Sequence, residues 1–147
     1  MKHAIHTFLI SATALCASAT ATAEGTEIGG LNYKLDSATG TAIVTWGGKC
    51  YCSGEAYKGV INIPESVSYE GKTFAVTGIG DYAFSSSKGL KSVSIPESVV
   101  EIDKYAFAGC TELENVAFTG KPHVKSIGGK AFLQCKKTAI DRDSRQR

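Results

Sequence analysis

The sequence predicts a β-rich solenoid of short parallel strands and helical or 3-10 turns, with an N-terminal β-hairpin cap. Two observations predict this fold class. The pentapeptide IPESV occurs at 63–67 and again at 95–99. The hexapeptide IGDYAF, which begins at Ile79, returns as IDKYAF from Ile102 and as IGGKAF from Ile127, at spacings of 23 and 25 residues. A period of this size is the sequence signature of stacked repeat units.

Apolar residues hold fixed places within each unit, which reads L-x-x-V-x-I-P-x-x-V-x-x-I-x-x-x-A-F-x-x-C. The L-x-x-V-x-I stretch predicts a short strand whose Val and Ile side chains point inward. The proline removes a backbone donor and ends the strand, and the Ala-Phe stretch predicts one helical or 3-10 turn with its Phe directed inward. The predicted core of the repeats consists of Phe84, Leu90, Val93, Ile95, Phe107, Cys110, Leu113, Val116, Phe132 and Cys135.

The units are expected to depend on one another for stability. Ordering the backbone of 23 residues costs on the order of 23 to 46 kcal/mol, and one unit has too few apolar side chains to offset this cost alone. Packing against neighbouring units must supply the remainder.

The chain divides into four predicted parts, a signal peptide at 1–23, a β cap at 24–60, repeats at 61–136 and a disordered tail at 137–147. In the cap, LNYKL and AIVTW flank DSATG, which predicts a β-hairpin. A second hairpin is predicted from GVINI and FAVTGI around SYEGK. The tail is assigned to disorder because it holds all three arginines of the chain and only Ile140 in place of the next Leu and Val strand.

The first 23 residues have the pattern of a secretory signal. Lys2 lies near the start, an apolar stretch covers 8–19, and small residues follow at 21–23. The apolar stretch is too short to cross a bilayer. Lipidation at Cys16 is an alternative, although Thr13 occupies the place where a bacterial lipobox normally carries leucine. The segment predicts export, either to the cell surface or into the medium.

Charge and composition argue against several functional classes. The chain has 16 Lys and Arg against 14 Asp and Glu, and the basic residues are scattered except at the C-terminus, so no nucleic-acid groove is predicted. His123 is the one histidine after the predicted signal, and it lies outside any nucleophile motif. Glu65 and Glu97 are equivalent positions of the repeat, which explains their spacing without an acid and base pair. The sequence therefore predicts a protein without enzymatic activity, cofactor or metal.

Four cysteines follow the predicted signal, at positions 50, 52, 110 and 135. An even number permits two disulfides in an exported protein, but spacing does not determine the connectivity. Cys50 and Cys52 form a C-x-C pair, which lacks the spacing of common zinc sites. Cys110 and Cys135 are expected on adjacent units, either as buried free thiols or as a disulfide, although parallel side chains disfavour the bond.

Two groups of residues are candidate binding positions. Tyr82 and Tyr105 occupy equivalent places in consecutive units, and tyrosine is favoured in binding sites. The outward strand positions carry small, uncharged side chains at Ser92, Ser94 and Asn115, and also at Ala117. Recognition there would depend on shape more than on charge.

The stretch SVSIPESVVEIDKYAFAGCTELENV, at 92–116, resembles a full repeat of the BspA-like leucine-rich-repeat family of bacterial surface and secreted proteins. The resemblance implies a leucine-rich-repeat solenoid in an exported adhesin-type protein, located at the cell surface, in the medium or on the periplasmic side of a Gram-negative envelope. It also implies a protein ligand, either a host matrix or plasma protein or another bacterial surface protein. From charge and hydropathy, neither a nucleic-acid partner nor a membrane span is predicted.

Two other functions stay open from the sequence. The chain could be a truncated or structural repeat fragment without an independent ligand, which pairs through an open C-terminal edge. A carbohydrate-binding module would require exposed aromatic residues on one face, whereas the single tryptophan, Trp46, lies in the predicted cap.

Overall fold

The computed structural model describes residues 25–47 and 57–141, which contain eleven strands and no helix. The predicted signal peptide, Cys50 and Cys52 lie outside the described residues. The strands are β1 (Thr26–Ile28), β2 (Leu31–Asp36), β3 (Thr41–Thr45), β4 (Gly59–Asn62), β5 (Ser66–Tyr69), β6 (Lys72–Ile79), β7 (Leu90–Ile95), β8 (Glu101–Ile102), β9 (Asn115–Phe118), β10 (Ser126–Ile127) and β11 (Ala139–Asp141).

One sheet is entirely parallel and has the strand order β11-β9-β7-β4. Its strands come from the L-x-x-V-x-I part of each unit, as the sequence predicts. Ile61 lies opposite Val93, and Val93 lies opposite Val116, so that equivalent residues of consecutive units are neighbours. Val93 and Val116 are fully buried because the alternation of the strand points them to the inner face.

The other sheet has seven strands in the order β1-β2-β3-β6-β8-β10, with β5 also paired to β6. Strands β6, β8 and β10 pair in parallel and belong to consecutive units. Strands β1, β2 and β3 are antiparallel to one another, and β3 pairs in parallel with β6. The N-terminal strands therefore adjoin the first unit along this sheet.

The first predicted hairpin is present as β2 and β3. Its loop closes because the Asp36 carboxylate accepts a hydrogen bond from the Ala38 N–H at 2.8 Å, and Gly40 adopts a left-handed φ of 68°. The bonds donated by Ala38 and Thr39 lower the pKa of Asp36, since they stabilise its charged form.

The second predicted hairpin is wrong in its first strand. β4 pairs in parallel with β7, and the antiparallel partner of β6 is β5. The reason is that IPESV stands at the end of β4 as it stands at the end of β7, so β4 is the first strand of a unit and the predicted boundary at residue 61 cuts through it. The actual hairpin turns at Glu70 and Gly71, which have left-handed φ values of 49° and 75°.

The predicted helical or 3-10 turn at the Ala-Phe stretch is also wrong. These segments form successive turns in which Tyr82 and Ser86 have left-handed φ values of 57° and 59°, which a helix does not allow. Every second N–H group of this stretch donates to a backbone carbonyl of the following unit. These bonds join Tyr82 N–H to Lys104 O at 3.1 Å, Phe84 N–H to Ala106 O at 2.7 Å and Ser86 N–H to Ala108 O at 2.7 Å. Bonding between units satisfies the backbone groups that a helix would have paired internally.

An aromatic ladder runs through the core. The Phe84 and Phe107 ring centroids are 5.0 Å apart, those of Phe107 and Phe132 are 5.2 Å apart, and both pairs are parallel within 3°. Tyr57 lies at the N-terminal end of the ladder, with its ring centroid 4.9 Å from that of Phe84. Phe132 is partly buried, as is Cys135, whereas the other predicted core residues are fully buried.

The disorder predicted from residue 137 is wrong at 139–141, because Ala139–Asp141 forms β11 and pairs with β9. The Ala139 N–H donates to the Glu114 carbonyl at 2.8 Å, and Ile140 lies opposite Val116. Backbone pairing with the neighbouring parallel strand thus orders this segment. Residues 142–147 lie outside the described residues.

Tyr33, in β2, makes stability sensitive to alkaline pH. Burial, and secondarily Tyr57, raise the pKa of Tyr33 from 10.0 to about 12. The unfolded chain releases the Tyr33 proton at a lower pH than the folded chain does. The stability that the protonated Tyr33 contributes is therefore complete below pH 10 and is lost as the pH rises through 12. We expect wild-type protein to lose up to about 2 to 3 kcal/mol more than Tyr33→Phe between pH 9 and 12 in urea unfolding. A difference between the two proteins that does not change with pH would contradict this account.

Candidate binding surface

The outer side of the four-stranded sheet carries two rows of aligned side chains. The register places Val60, Ser92 and Asn115 in one row and Asn62, Ser94 and Ala117 in the other. We call these six residues the strand face. All are uncharged and none is aromatic, and Val60 is 67% exposed. The structure thus brings Ser92, Ser94 and Asn115 together on a flat, neutral surface.

Charged residues flank the strand face at both strand ends. Lys91 and Glu114 are exposed at the start of β7 and β9. Beyond the strand exits, Glu97 of the second IPESV accepts a hydrogen bond from the Lys121 N–H at 3.2 Å. This bond holds the loop at 119–124, which also contains the exposed His123, against the preceding unit.

The second candidate group forms a separate column on the turn segments. The Tyr82 and Tyr105 rings stack with centroids 5.0 Å apart and planes 3° from parallel. The Lys130 ammonium lies 5.7 Å from the centroid of the Tyr105 ring. We call these three residues the tyrosine column, and each has a left-handed φ between 55° and 60°. The backbone geometry of the turn is repeated in each unit and therefore aligns the side chains of successive units.

Stacking determines what the tyrosine column can contact. Tyr82 covers one face of the Tyr105 ring and Lys130 covers the other, so a sugar ring has no free face of Tyr105 to stack on. The exposed part of this ring is its edge, which is suited to polar contacts with a protein surface. This geometry gives the carbohydrate-binding alternative no support at Tyr105.

Val60 and Asn62 were missed by the sequence analysis because their strand was assigned to the cap and to a hairpin. The signal that could have found them is IPESV, since aligning its two copies places Val60 with Ser92 and Asn62 with Ser94. The contact of Lys130 with Tyr105 was also missed. The alignment of IDKYAF with IGGKAF puts these two residues at the same position.

The two described cysteines are free thiols, so the disulfide alternative is not formed. Cys110 Sγ donates to the Phe84 carbonyl, and Cys135 Sγ donates to the Phe107 carbonyl, each at 3.0 Å. The neighbouring Cys135 thiol and burial raise the pKa of Cys110, which keeps it protonated. A buried, protonated thiol is a poor nucleophile, so Cys110 serves to fill the core. Cys135 is only partly buried, and the neighbouring Cys110 thiol lowers its pKa.

Acidic residues approach one another beside the seven-stranded sheet. Burial, followed by the charges of Glu101 and Asp81, raises the pKa of Asp103. Asp81 accepts a hydrogen bond from the Lys104 N–H at 3.0 Å, so it links two units. Within residues 25–47 and 57–141, no group of three or more His, Cys, Asp or Glu side chains is arranged to hold a metal ion. The same residues include no helix long and apolar enough to span a membrane.

Comparison with known proteins identifies the repeats. Residues 77–145 match the family model described as "BspA type Leucine rich repeat region (6 copies)". The chain is a BspA-type leucine-rich-repeat protein. The resemblance predicted from the 92–116 stretch is confirmed. None of the curated proteins matches the chain.

Solved structures with the same fold come from bacteria. A leucine rich cell surface protein from Faecalibacterium prausnitzii is 30% identical with a TM-score of 0.69, and the match covers 83% of this chain and 31% of that one. A leucine-rich repeat protein from Bacteroides capillosus is 24% identical with a TM-score of 0.59, over 82% of this chain and 94% of that one. The BspA-type chain described here thus spans about a third of the F. prausnitzii protein.

Proposed function

We propose that this chain is an exported, non-enzymatic protein that binds a protein ligand through its strand face and serves in adhesion. The observation that carries the proposal is the in-register alignment of small, uncharged side chains on the outer side of the parallel sheet. The repeats form a solenoid whose N-terminal end is covered by β1, β2 and β3. The signal-like first 23 residues and the cell surface location of the F. prausnitzii relative support export.

The dimensions of the strand face suit a weak contact. The three strands of the strand face, at a spacing of about 4.8 Å, span about 10 Å, and a standard interface buries about 800 Å² on each partner. The face is smaller than such an interface, so a single copy is expected to bind weakly. Several copies displayed on one surface would raise the overall affinity through effective concentration. The ligand class is a matrix or plasma protein of a host, or a surface protein of another bacterium.

The test uses the full chain against a panel of immobilised extracellular-matrix and plasma proteins, with binding followed by surface plasmon resonance. Ser94→Arg combined with Asn115→Arg places two bulky charges on the strand face. We expect this variant to lose at least about tenfold in affinity, since an unpaired charge in an interface costs several kcal/mol. Ser37→Arg, in the exposed loop between β2 and β3, is the matched control and should bind as wild type.

The tyrosine column is the second candidate surface, favoured by the parallel stacking of Tyr82 and Tyr105. Loss of binding in Tyr105→Ala, with full binding retained in the strand-face variant, would move the site to this column. Failure of the wild-type chain to bind any panel protein, while it remains monomeric and folded, would favour the alternative of a structural repeat without its own ligand.

A further inference from the structure

Cys110 and Cys135 form a pair of stacked thiols between two consecutive units. Cys110 is fully buried and Cys135 is partly buried. Each Sγ lies 3.0 Å from the carbonyl oxygen of a phenylalanine one unit earlier, so the two side chains have the same orientation. Both units belong to the described part of the chain, and the pair therefore does not depend on the segment that follows Asp141.

The spacing of the two thiols suits a bridging atom better than a direct bond. The Phe107 and Phe132 ring centroids of the same two units are 5.2 Å apart, and paired strands repeat at about 4.8 Å. A disulfide requires the two sulfurs to approach to about 2.05 Å, which would distort the stack. Two metal–sulfur bonds of about 2.3 Å in a straight line span about 4.6 Å, so an ion between the sulfurs leaves the stack unchanged.

The number and type of ligands select the kind of ion. Within residues 25–47 and 57–141, no group of three or more His, Cys, Asp or Glu side chains could hold a metal, so only the two sulfurs are offered here. Zn²⁺ requires four ligands and is not satisfied by such a pair. Thiolates select soft ions, and Cu(I) is a soft ion that two sulfurs in a line can hold.

We propose that Cys110 and Cys135 bind one Cu(I) ion in a linear, two-coordinate site between the two units. Both S–H bonds break and two copper–sulfur bonds form. Two neutral thiols and one Cu(I) thus give a bis-thiolate complex with a single negative charge, and two protons leave to solvent. The copper stays in the same oxidation state, so the step requires no oxidant or reductant.

The backbone around the two sulfurs accommodates this charge. Cys110 Sγ accepts a hydrogen bond from the Ser87 N–H, and Cys135 Sγ accepts one from the Cys110 N–H. Such bonds favour the charged form of sulfur. Loss of the thiol protons leaves neither phenylalanine carbonyl without a donor. The Phe84 carbonyl also accepts the Ser87 N–H at 3.1 Å, and the Phe107 carbonyl accepts the Cys110 N–H at 3.2 Å.

The test uses the full chain with Cys16→Ser, Cys50→Ser and Cys52→Ser, so that the proposed pair supplies its only thiols. Cu(I) is titrated under anaerobic conditions in competition with a chromogenic Cu(I) chelator. We expect one Cu(I) for each chain, with an affinity that falls at least about tenfold when Cys135→Ser is added. Comparison within one background cancels any copper that is bound elsewhere on the chain.

Cys110→Ser in the same background is the second variant and should lose affinity equally. Both variants are expected to fold, because Ser87 already holds the equivalent position one unit earlier, and circular dichroism checks this. X-ray absorption at the copper edge should show two sulfur neighbours, and Zn²⁺ should not bind to the pair. Absence of Cu(I) binding to the folded two-thiol chain would overturn the proposal. Equal affinity after Cys135→Ser, or copper with only nitrogen and oxygen neighbours, would contradict it as well.

Discussion

Phe107→Ala is expected to lower the free energy of unfolding by about 3 to 5 kcal/mol. The Phe107 ring is fully buried and lies between two parallel rings, at 5.0 Å from Phe84 and 5.2 Å from Phe132. Its removal leaves a cavity and abolishes both aromatic contacts, each worth about 0.5 to 1.5 kcal/mol beyond the buried area. Urea unfolding monitored by circular dichroism measures the loss.

Phe132→Ala is the matched control, because it removes the same side chain from the end of the ladder. Phe132 is partly buried and stacks on one ring, so a loss of about 1 to 2 kcal/mol is expected. The comparison cancels the effect of phenylalanine on the unfolded chain. Equal decreases in the free energy of unfolding for the two variants would show that stacking on a second ring adds no stability.

Tyr57→Ala is expected to cost a similar amount, about 3 to 5 kcal/mol. The Tyr57 ring is buried and packs on Phe84, and its hydroxyl donates to the Thr45 carbonyl at 3.0 Å. The same hydroxyl accepts a bond from the Asn32 N–H at 3.1 Å. Tyr57 thus joins the N-terminal strands to the first Phe of the repeats, and the variant loses both packing and hydrogen bonding.

Tyr57→Phe separates these two contributions. It keeps the ring on Phe84 but leaves the Asn32 N–H and the Thr45 carbonyl without this partner, so a loss of about 1 to 3 kcal/mol is expected. Thermal and urea unfolding of both variants provide the measurement. A Tyr57→Ala protein as stable as Tyr57→Phe would mean that ring packing on Phe84 contributes nothing, which would contradict the proposed cover of the first unit.

The repeat pattern predicted the inner faces of the units well. Val93, Val116 and Phe107 were assigned to the core from spacing alone, because each is one of several copies that must satisfy the same packing position. The pairing of β2 with β3 also followed from local signals, since an aspartate and a glycine at the ends of a short loop favour a hairpin.

The features that could not be predicted depend on contacts between units. A helical turn would pair the backbone of the Ala-Phe stretch locally, but the N–H groups of Tyr82 and Phe84 donate to carbonyls of the next unit instead. Residues 139–141 are ordered by pairing with β9, which their own composition does not indicate. The strand face was incomplete for a different reason, because Val60 was assigned to the cap although the two IPESV copies align it with Ser92, the residue that it pairs with.

Side-chain hydrogen bonds between neighbouring units join residues at a nearly constant separation in sequence. Ser85 to Ala108 spans 23 residues, Cys110 to Phe84 spans 26, and Cys135 to Phe107 spans 28. Each unit therefore closes a loop of about the same length, and the entropy of closure does not grow as the array lengthens. Folding can then advance one unit at a time behind the ribosome, with each finished unit serving as the template for the segment that emerges next.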